Sequence, residues 1–204
     1  MLTLYHAPFS RSTRIVALIH DLGLQDRVQI EPVTVTRPDG SGGRDPKNPH
    51  PEGKVPLLMH DGAMIRESVA IALYLAELAP EAGLARPVGA ADRGPFLSWL
   101  SWYSGVLEPV IVLSLCELEH PVLTTTFRDM PEATKRLAGA LKGNSYLMGE
   151  DFTIADLIIA STFSTLPQLM PEIPDIQGWV ARCTNRPAMQ AALAYDAELM
   201  AANG

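Results

Sequence analysis

The chain of 204 residues has little of what holds small secreted or metal-bound domains together. Its two cysteines, Cys116 and Cys183, lie far apart and in no metal-binding or dithiol spacing, so neither a disulfide framework nor a zinc site is expected. The five histidines are scattered with no i, i+4 pair, and we interpret each as a surface or packing residue. The sequence therefore predicts a protein without a metal, in the reducing cytoplasm.

Positive charge is also scarce. The 16 lysine and arginine residues are outnumbered by 23 aspartates and glutamates, which gives a formal net charge of −7, and no stretch collects basic side chains on one face. Because this balance repels a polyanion, no nucleic-acid partner is expected. The sequence shows neither a basic leader nor an apolar run long enough to span a membrane, so we expect no membrane partner. Small-molecule chemistry is the function class that these absences favour.

The first part of the chain alternates between strand and helix patterns. A short strand over residues 2–5 is followed by an apolar helical pattern that stops near Gly23, and then by a second strand over residues 28–35. Residues 37–53 are rich in glycine, proline and aspartate. They are predicted to form a loop with at most a short helix.

A hairpin is predicted next. Residues 55–59 and 60–65 form two short strands joined by an Asp61-Gly62 turn, the strongest local hairpin signal in the chain. A helix opens with Glu67-Ser68 and ends near Pro80. Strand, helix, strand, loop, strand, strand and helix in this order predict a compact mixed sheet with helices packed on it.

After residue 89 the sequence has helical patterns that are separated by proline or glycine residues. The predicted domains are residues 1–79, a linker over 80–89, and an all-helical domain over 90–204. The predicted helices cover residues 91–119, 131–141, 153–166 and 176–200.

Pro109 and Asp156, both in the helical part of the chain, are predicted to have structural roles. Pro109 lies inside the first helical segment and is expected to kink or end it. Thr153-Ile154-Ala155-Asp156 has the form of a capping box, in which Asp156 reaches back to the backbone. We therefore assign Asp156 to structure rather than to catalysis.

The most specific pattern in the chain is Gly53-Lys54-Val55-Pro56, followed by the hairpin and by Arg66-Glu67-Ser68. With residues 4–10, 92–109, 149–156 and 185–188, it resembles the glutathione S-transferase family from end to end, in particular its cytosolic, serine-type, bacterial-looking members. The resemblance implies an α/β plus all-α fold, with a thioredoxin-like N-terminal domain beside a C-terminal α-helical bundle. It also implies a homodimer that activates the glutathione thiol for attack on a small hydrophobic electrophile.

The resemblance implies that backbone and charge on the first domain hold glutathione. A cis peptide between Val55 and Pro56 turns the valine N–H and C=O toward the cysteinyl residue, as an added strand does. Glu67 and Ser68, at the start of a helix, suit the ammonium and carboxylate of the γ-glutamyl end. The alternative is that Ser68 only caps the helix and no ligand is involved.

The glycyl carboxylate of glutathione is assigned to the irregular loop. Lys54, helped by His50 or Asn48, is expected to reach this carboxylate or to bond the backbone near it. Glutathione is thus the expected co-substrate, and no metal is expected.

The thiol needs a hydroxyl donor, because the thiolate is the nucleophile. The spacing from Ser10 to Arg14 looks like that of serine-type members, so Ser10 is the first candidate; its alternative role is the N-cap of the first helix. Tyr5 is the competitor, since tyrosine-type members carry their hydroxyl at the end of the first strand. Residues 10–13 contain no cysteine. Disulfide exchange through an enzyme thiol is therefore disfavoured, whereas conjugation and peroxide reduction stay open.

Aromatic side chains are the candidates for the electrophile pocket. Trp102 and Tyr103, with Phe9 from the first domain, are the predicted lining residues, and the alternative is that such aromatics are core. A second class of function also stays open, because folds do not fix functions. In it the chain is a non-catalytic transferase-fold module that binds ligands or a protein partner.

Overall fold

The described residues of the protein, 1–202 in a computed structural model, begin with four short strands that pair into one mixed sheet. The strands are β1 Leu2–His6, β2 Val28–Pro32, β3 Leu57–His60 and β4 Ala63–Arg66. Their order is β2-β1-β3-β4, in which β2 runs parallel to β1 while β3 runs antiparallel to both β1 and β4. The predicted order of elements is confirmed.

Helix α1 (Thr13–Asp21) is the buried helix next to this sheet. Its apolar residues Ile15, Val16, Leu18 and Ile19 have at most 1% exposure, which accounts for the apolar pattern in the sequence. The helix ends where predicted, because Gly23 adopts a φ of 65° and the Leu24 N–H bonds the Ile19 carbonyl at 2.9 Å. Helix α2 (Ser68–Glu77) packs against α1 and β4.

The hairpin turn also forms as predicted. Asp61 and Gly62 have φ values of 47° and 87°, as a two-residue turn with both central residues in the left-handed region requires. Strand β2 is shorter than predicted and ends at Pro32, because β1 supplies a partner only as far as His6. Residues 33–56, all of them described, contain no helix or strand.

Helices make up the rest of the described chain. They are α3 Arg93–Trp102, α4 Glu108–Leu115, α5 Pro121–Phe127, α6 Met130–Leu141, α7 Ile154–Thr165, α8 Pro174–Thr184 and α9 Pro187–Ala202. The helix predicted over 176–200 is two helices, since the residue before Pro187 is disfavoured in the helical conformation. Helix α5 was not predicted.

Pro109 interrupts the first helical segment, as predicted. Tyr103–Leu107 forms a π-helical turn between α3 and α4, and Pro109 lies in the first turn of α4. A proline has no N–H for the ladder and its ring crowds the preceding turn, which explains why the α-helical hydrogen bonding stops here.

The chain divides into two units. One comprises Met1–Ala82 together with the residues from Asn185 onward, and the other comprises Gly83–Thr184. Helix α9 belongs to the first unit because it packs along α1. This division differs from the predicted helical domain over 90–204, whose last two residues lie outside the described ones.

The run Arg93–Leu115 in the second unit is long and apolar enough to pass for a membrane span, because an 18-residue window within it has a mean hydropathy of 1.3; 39% of that window is buried. The sequence-based expectation that no apolar run reaches this length is therefore wrong. Core helices of water-soluble proteins meet the same two criteria, and Phe96, Leu100 and Leu107 of this run are buried.

Candidate functional site

The register of the sheet brings three segments to one end of it. Tyr5 of β1 pairs with Leu57 of β3, and Leu57 pairs with Arg66 of β4. The end of β1, the start of β3 and the end of β4 are therefore neighbours. The segments at this end are residues 7–12, residues 50–56 and residues 67–68, which carry most of the residues predicted to bind glutathione.

Ser10 lies in the loop between β1 and α1 with a half-buried side chain. Its Oγ is 2.7 Å from the Ala7 carbonyl oxygen, to which it can donate, and it accepts the Ser12 N–H at 3.1 Å. The N-cap of α1 is Ser12 and not Ser10, so the capping alternative for Ser10 is wrong.

Behind Ser10 lies a buried polar cluster that the sequence analysis did not predict. Ser12 Oγ is 2.7 Å from Ser10 Oγ and 2.8 Å from His6 Nδ1, and His6 Nε2 is 2.8 Å from Asp196 Oδ1 on α9. Ser12, His6 and Asp196 each have 0% exposure. His6 thus has buried hydrogen-bond partners on both ring nitrogens. The interpretation of every histidine as a surface or packing residue did not include such a polar cluster.

Tyr5 is the alternative hydroxyl, and it lies on β1 directly before His6. Consecutive strand residues project to opposite faces of a sheet, so Tyr5 points away from the face that carries His6 and Ser12. The burial pattern agrees, because Leu2, Leu4 and His6 are buried while Thr3 and Tyr5 are half-buried.

Val55 and Pro56 are joined by a cis peptide bond, as predicted. The side chain of Val55 is half-buried, whereas Pro56 is buried. Within the described residues, the backbone N–H and C=O of Val55 make no hydrogen bond. A short length of extended backbone beside β3 therefore has free donor and acceptor groups, which is what an added strand needs.

Glu67 and Ser68 stand at the N-terminus of α2, but not in the capping arrangement considered above. Glu67 is the N-cap residue, and among the described residues no side chain caps this helix. Ser68 is the first helical residue, and its Oγ accepts a hydrogen bond from Arg14 Nη2 at 3.0 Å. The interpretation of Ser68 as a cap is therefore wrong, and the positive end of α2 is open to an anion.

The backbone of Glu67 is strained. Its φ of 70° and ψ of 125° are unusual for a residue with a side chain, and such conformations cost on the order of 1–3 kcal/mol. They persist mostly where the surroundings impose them, and often at ligand sites. Glu67 is exposed and directly precedes the first turn of α2.

The loop that carries Lys54 is organised by two buried side chains. Asn48 donates from Nδ2 to the Lys54 carbonyl at 3.1 Å and accepts the His50 N–H at 3.0 Å, and both Asn48 and His50 are buried. Lys54 is exposed, and its Nζ lies 2.6 Å from Glu52 Oε2, which raises the pKa of Lys54.

His50 can offer a donor to an anion without carrying a charge. Its Nδ1 accepts the Glu52 N–H at 3.0 Å, so in the neutral ring the proton sits on Nε2. Burial lowers the pKa of His50 below its ordinary value, which keeps the ring neutral at pH 7.

The aromatic residues predicted for the electrophile pocket occupy different environments. Phe9 is 49% exposed, in the loop after β1. Trp102 is buried with its ring 4.7 Å from the Arg136 guanidinium, and the Tyr103 hydroxyl lies 3.3 Å from Thr162 Oγ1. A pocket role for these three residues stays a prediction.

The described part of the chain holds no group of three or more histidine, cysteine, aspartate or glutamate side chains that could bind a metal ion. Asp156, the carboxylate assigned to structure, is fully buried and accepts hydrogen bonds from Thr153, Leu147 and Trp179. The predicted capping box is confirmed.

Comparison with known proteins agrees with this architecture. Residues 4–83 match the family model described as glutathione S-transferase, N-terminal domain, and residues 107–187 match the model for the C-terminal domain. The chain is 29% identical over 164 residues to glutathione S-transferase GstA of Escherichia coli O157:H7, with 72% of this chain and 76% of the relative covered. It is 27% identical over 200 residues to glutathione S-transferase 1 of Manduca sexta, covering 90% and 88%.

The fold is similar to that of a glutathione transferase from Methylococcus capsulatus, whose crystal structure superimposes with a TM-score of 0.78 at 25% identity, covering 97% of this chain and 100% of the other. The predicted fold, a thioredoxin-like N-terminal domain with a C-terminal helical domain, is therefore confirmed.

Proposed function

Because the chain belongs to the glutathione S-transferase family, we propose that its first unit binds glutathione and holds the sulfur as a thiolate beside the Ser10 hydroxyl. The register from Tyr5 through Leu57 to Arg66 carries the proposal, because it gathers three kinds of group at one end of the sheet. They are a hydroxyl, an unpaired stretch of backbone and an open helix N-terminus. A tripeptide with a thiol in its middle and charges at both ends needs all three.

The middle of glutathione lies along Val55. The cysteinyl N–H and C=O bond the Val55 carbonyl and N–H, which have no partner among the described residues. This pairing sets the position of the tripeptide along the backbone. The cysteinyl side chain can then reach toward the loop that follows β1.

The γ-glutamyl end lies at the start of α2. Its carboxylate accepts from the uncapped N–H groups and from the Ser68 hydroxyl, which Arg14 holds in place at 3.0 Å. Its ammonium pairs with the exposed Glu67 carboxylate. At the opposite end, the glycyl carboxylate pairs with Lys54 and accepts from His50 Nε2.

Glu67→Gln is expected to raise KM for glutathione roughly 10-fold with little change in kcat, because one charge-assisted hydrogen bond is worth about 1.5 kcal/mol. Steady-state kinetics at saturating electrophile measures both constants. Glu81→Gln, at an exposed carboxylate away from the segments around Ser10, is the matched control and should keep the wild-type KM. An unchanged KM in Glu67→Gln would contradict the pairing of the γ-glutamyl ammonium with Glu67.

The sulfur is placed at Ser10. The Ser10 hydroxyl accepts the Ser12 N–H and can turn its own proton from the Ala7 carbonyl to the sulfur. A donor aimed at sulfur favours the thiolate over the thiol and so supplies the nucleophile. The thiolate then attacks a small hydrophobic electrophile, for which Phe9, Trp102 and Tyr103 are the proposed contacts, or reduces an organic peroxide.

Retention on immobilised glutathione, followed by turnover of an aryl halide, tests the proposal. We expect retention that free glutathione reverses, and formation of the thioether product. Retention without turnover of aryl halides, alkyl halides, epoxides, enones or organic peroxides would support the non-catalytic binding module. Absence of both retention and turnover would reject a glutathione site.

The homodimer and the cytoplasmic location implied by family resemblance belong to the same proposal. Light scattering at micromolar protein concentration should give twice the chain mass of 22.1 kDa. A single-chain mass across that range would contradict the dimer.

A further inference from the structure

A chain of short hydrogen bonds runs from Ser10 into the interior of the first unit, and the proposed function leaves it unused. We call these four residues the relay: Ser10, Ser12, His6 and Asp196. The successive distances are 2.7 Å from Ser10 Oγ to Ser12 Oγ, 2.8 Å from Ser12 Oγ to His6 Nδ1, and 2.8 Å from His6 Nε2 to Asp196 Oδ1. Each link is short enough for a proton to pass along it.

The inner end of the relay is anchored at Asp196. Its Oδ2 accepts the Phe9 N–H at 2.6 Å and the Thr13 Oγ1 hydrogen at 2.6 Å, and Thr13 Oγ1 itself accepts the Ser10 N–H at 3.2 Å. An ionised carboxylate only accepts, so this arrangement of donors fits it. Asp196 Oδ1 then accepts a hydrogen bond from His6 Nε2–H, which fixes the tautomer of the neutral ring.

That tautomer sets the direction of every bond farther out. With the proton on Nε2, His6 Nδ1 is an acceptor and the Ser12 hydroxyl must donate to it. Ser12 Oγ also accepts the Ala7 N–H at 3.1 Å, and its second lone pair accepts from the Ser10 hydroxyl. The Ala7 carbonyl lies within 2.7 Å of Ser10 Oγ and 3.2 Å of Ser12 Oγ, so either hydroxyl has a second acceptor when the chain reverses.

We propose that His6 accepts the thiol proton of bound glutathione through Ser12 and Ser10, and that Asp196 balances the charge that His6 gains. This inference rests on the proposed position of the sulfur at Ser10. It gives Ser12, His6 and Asp196 a function in thiolate formation, in which they act through Ser10 as positioning residues.

The transfer balances without any further reactant. The S–H bond breaks, its electron pair stays on sulfur, and its proton bonds to Ser10 Oγ. The former Ser10 proton passes to Ser12 Oγ, and the former Ser12 proton bonds to His6 Nδ1. The relay then has the opposite polarity: His6 donates to Ser12, Ser12 to Ser10, and Ser10 to the thiolate. When the product leaves, the proton returns along the same path to water at Ser10.

Because His6 is buried, a proton can reach it from the site only along the relay. His6, Ser12 and Asp196 have 0% exposure, whereas Ser10 is half-buried, so His6 exchanges protons with the site through the two serines. An imidazolium beside a buried carboxylate is a paired charge rather than an isolated one. Once His6 is protonated, His6 Nδ1–H and the Ala7 N–H both donate to Ser12 Oγ, which polarises the Ser10 hydroxyl through Ser12 and strengthens its bond to sulfur.

A tyrosine of α9 lies beside His6. Tyr195 of α9 has its ring 5.9 Å from that of His6, and burial raises the pKa of its hydroxyl, so it stays neutral and does not compete for the thiol proton. Asp196 and Glu198 on α9 and Glu31 on β2 are the carboxylates that raise the Tyr195 pKa further.

Proton release on glutathione binding tests the inference. Wild-type protein in weakly buffered solution at neutral pH is mixed with glutathione, while a pH indicator and the ultraviolet absorbance of the thiolate are followed together. S-Methylglutathione, which has no thiol proton, supplies the correction for protons moved by binding alone. We expect thiolate to form with almost no proton released to the solvent.

Two variants interrupt the relay at different links. Ser12→Ala removes the hydroxyl between Ser10 and His6, and His6→Gln keeps an amide against Asp196 without a basic nitrogen. Either variant, if folded by circular dichroism, is expected to release about one proton per thiolate formed, or to form no thiolate. Ser98→Ala, whose hydroxyl bonds the Gly94 carbonyl of its own helix at 2.9 Å, is the matched control and should behave like wild type.

The outcomes separate the inference from the proposed function. Release of one proton per thiolate by the wild-type protein overturns the relay while leaving glutathione binding intact. A proton-silent thiolate in both wild type and Ser12→Ala also overturns it, because the acceptor is then elsewhere. If the wild type forms no thiolate at all, the proposed position of the sulfur fails and the relay fails with it.

Discussion

Ser10→Ala is expected to lower kcat/KM for conjugation roughly 10- to 100-fold, because a hydrogen bond to a charged group is worth about 1.5–3 kcal/mol and the alanine cannot donate one to sulfur. The loss should appear as a rise in the pH needed for full activity, since less of the bound glutathione is thiolate at neutral pH. The measurement is kcat/KM for the aryl halide as a function of pH at saturating glutathione, because this constant reports the ionisation of the bound thiol.

Two other hydroxyl variants make this result specific. Tyr5→Phe is expected to keep the wild-type rate, because Tyr5 and the relay project from opposite faces of β1. Ser98→Ala removes an exposed hydroxyl in the other unit and should also keep it. A full rate in Ser10→Ala with a loss in Tyr5→Phe would make Tyr5 the hydroxyl that holds the sulfur.

The meeting of these three segments at one end of the sheet, where we propose the glutathione site, was predictable from local signals in the sequence. The Asp61-Gly62 turn sets which residues of β3 and β4 face each other, and a two-residue turn leaves little freedom in that register. Once β1 is paired to β3, the ends of three segments must meet at one edge. The family resemblance predicted which ligand those segments bind, and the turn geometry predicted that they lie close together.

The relay could not be predicted in the same way, because its members come from distant parts of the chain. His6 alternates with Leu2 and Leu4 on the buried face of β1, which indicated burial but no partner. Asp196 is one carboxylate in a helix that carries two, and only the packing of α9 along α1 shows which of them is buried. A lone charged residue at a core position of a helix is the signal that was available.

The sequence predicted an interruption at Pro109, but it did not predict that the interruption takes the form of a π-helical turn over Tyr103–Leu107. The break before Pro187 was not predicted, because the apolar pattern continues through residues 176–200. Apolar periodicity predicts which face of a helix is buried. It does not predict where the helix is interrupted, because that depends on the backbone hydrogen bonds of the turn before a proline, which has no N–H.

Asp156→Ala is expected to lower the free energy of unfolding by about 3 kcal/mol or more. The carboxylate accepts from the Leu147 N–H at 2.8 Å, from Trp179 Nε1 at 2.9 Å, and from the Thr153 N–H and hydroxyl at 2.9 Å each. Removing it leaves buried donors without partners, at about 1–3 kcal/mol for each group left unsatisfied, although such costs are not fully additive. A chain of this length should then melt roughly 6–12 °C lower.

Thermal unfolding followed by circular dichroism measures the loss, and Asp151→Ala is the matched control. Asp151 has an exposed carboxylate 3.1 Å from Arg86 Nη2, and exposed ion pairs contribute about 0–1 kcal/mol, so its melting temperature should barely change. Because Asp156 lies in the second unit and the proposed glutathione site lies in the first, Asp156→Ala should keep its KM for glutathione below its melting range. A variant that melts like wild type but has lost turnover would instead give Asp156 a part in the chemistry, and the structural assignment made from its capping box would be wrong.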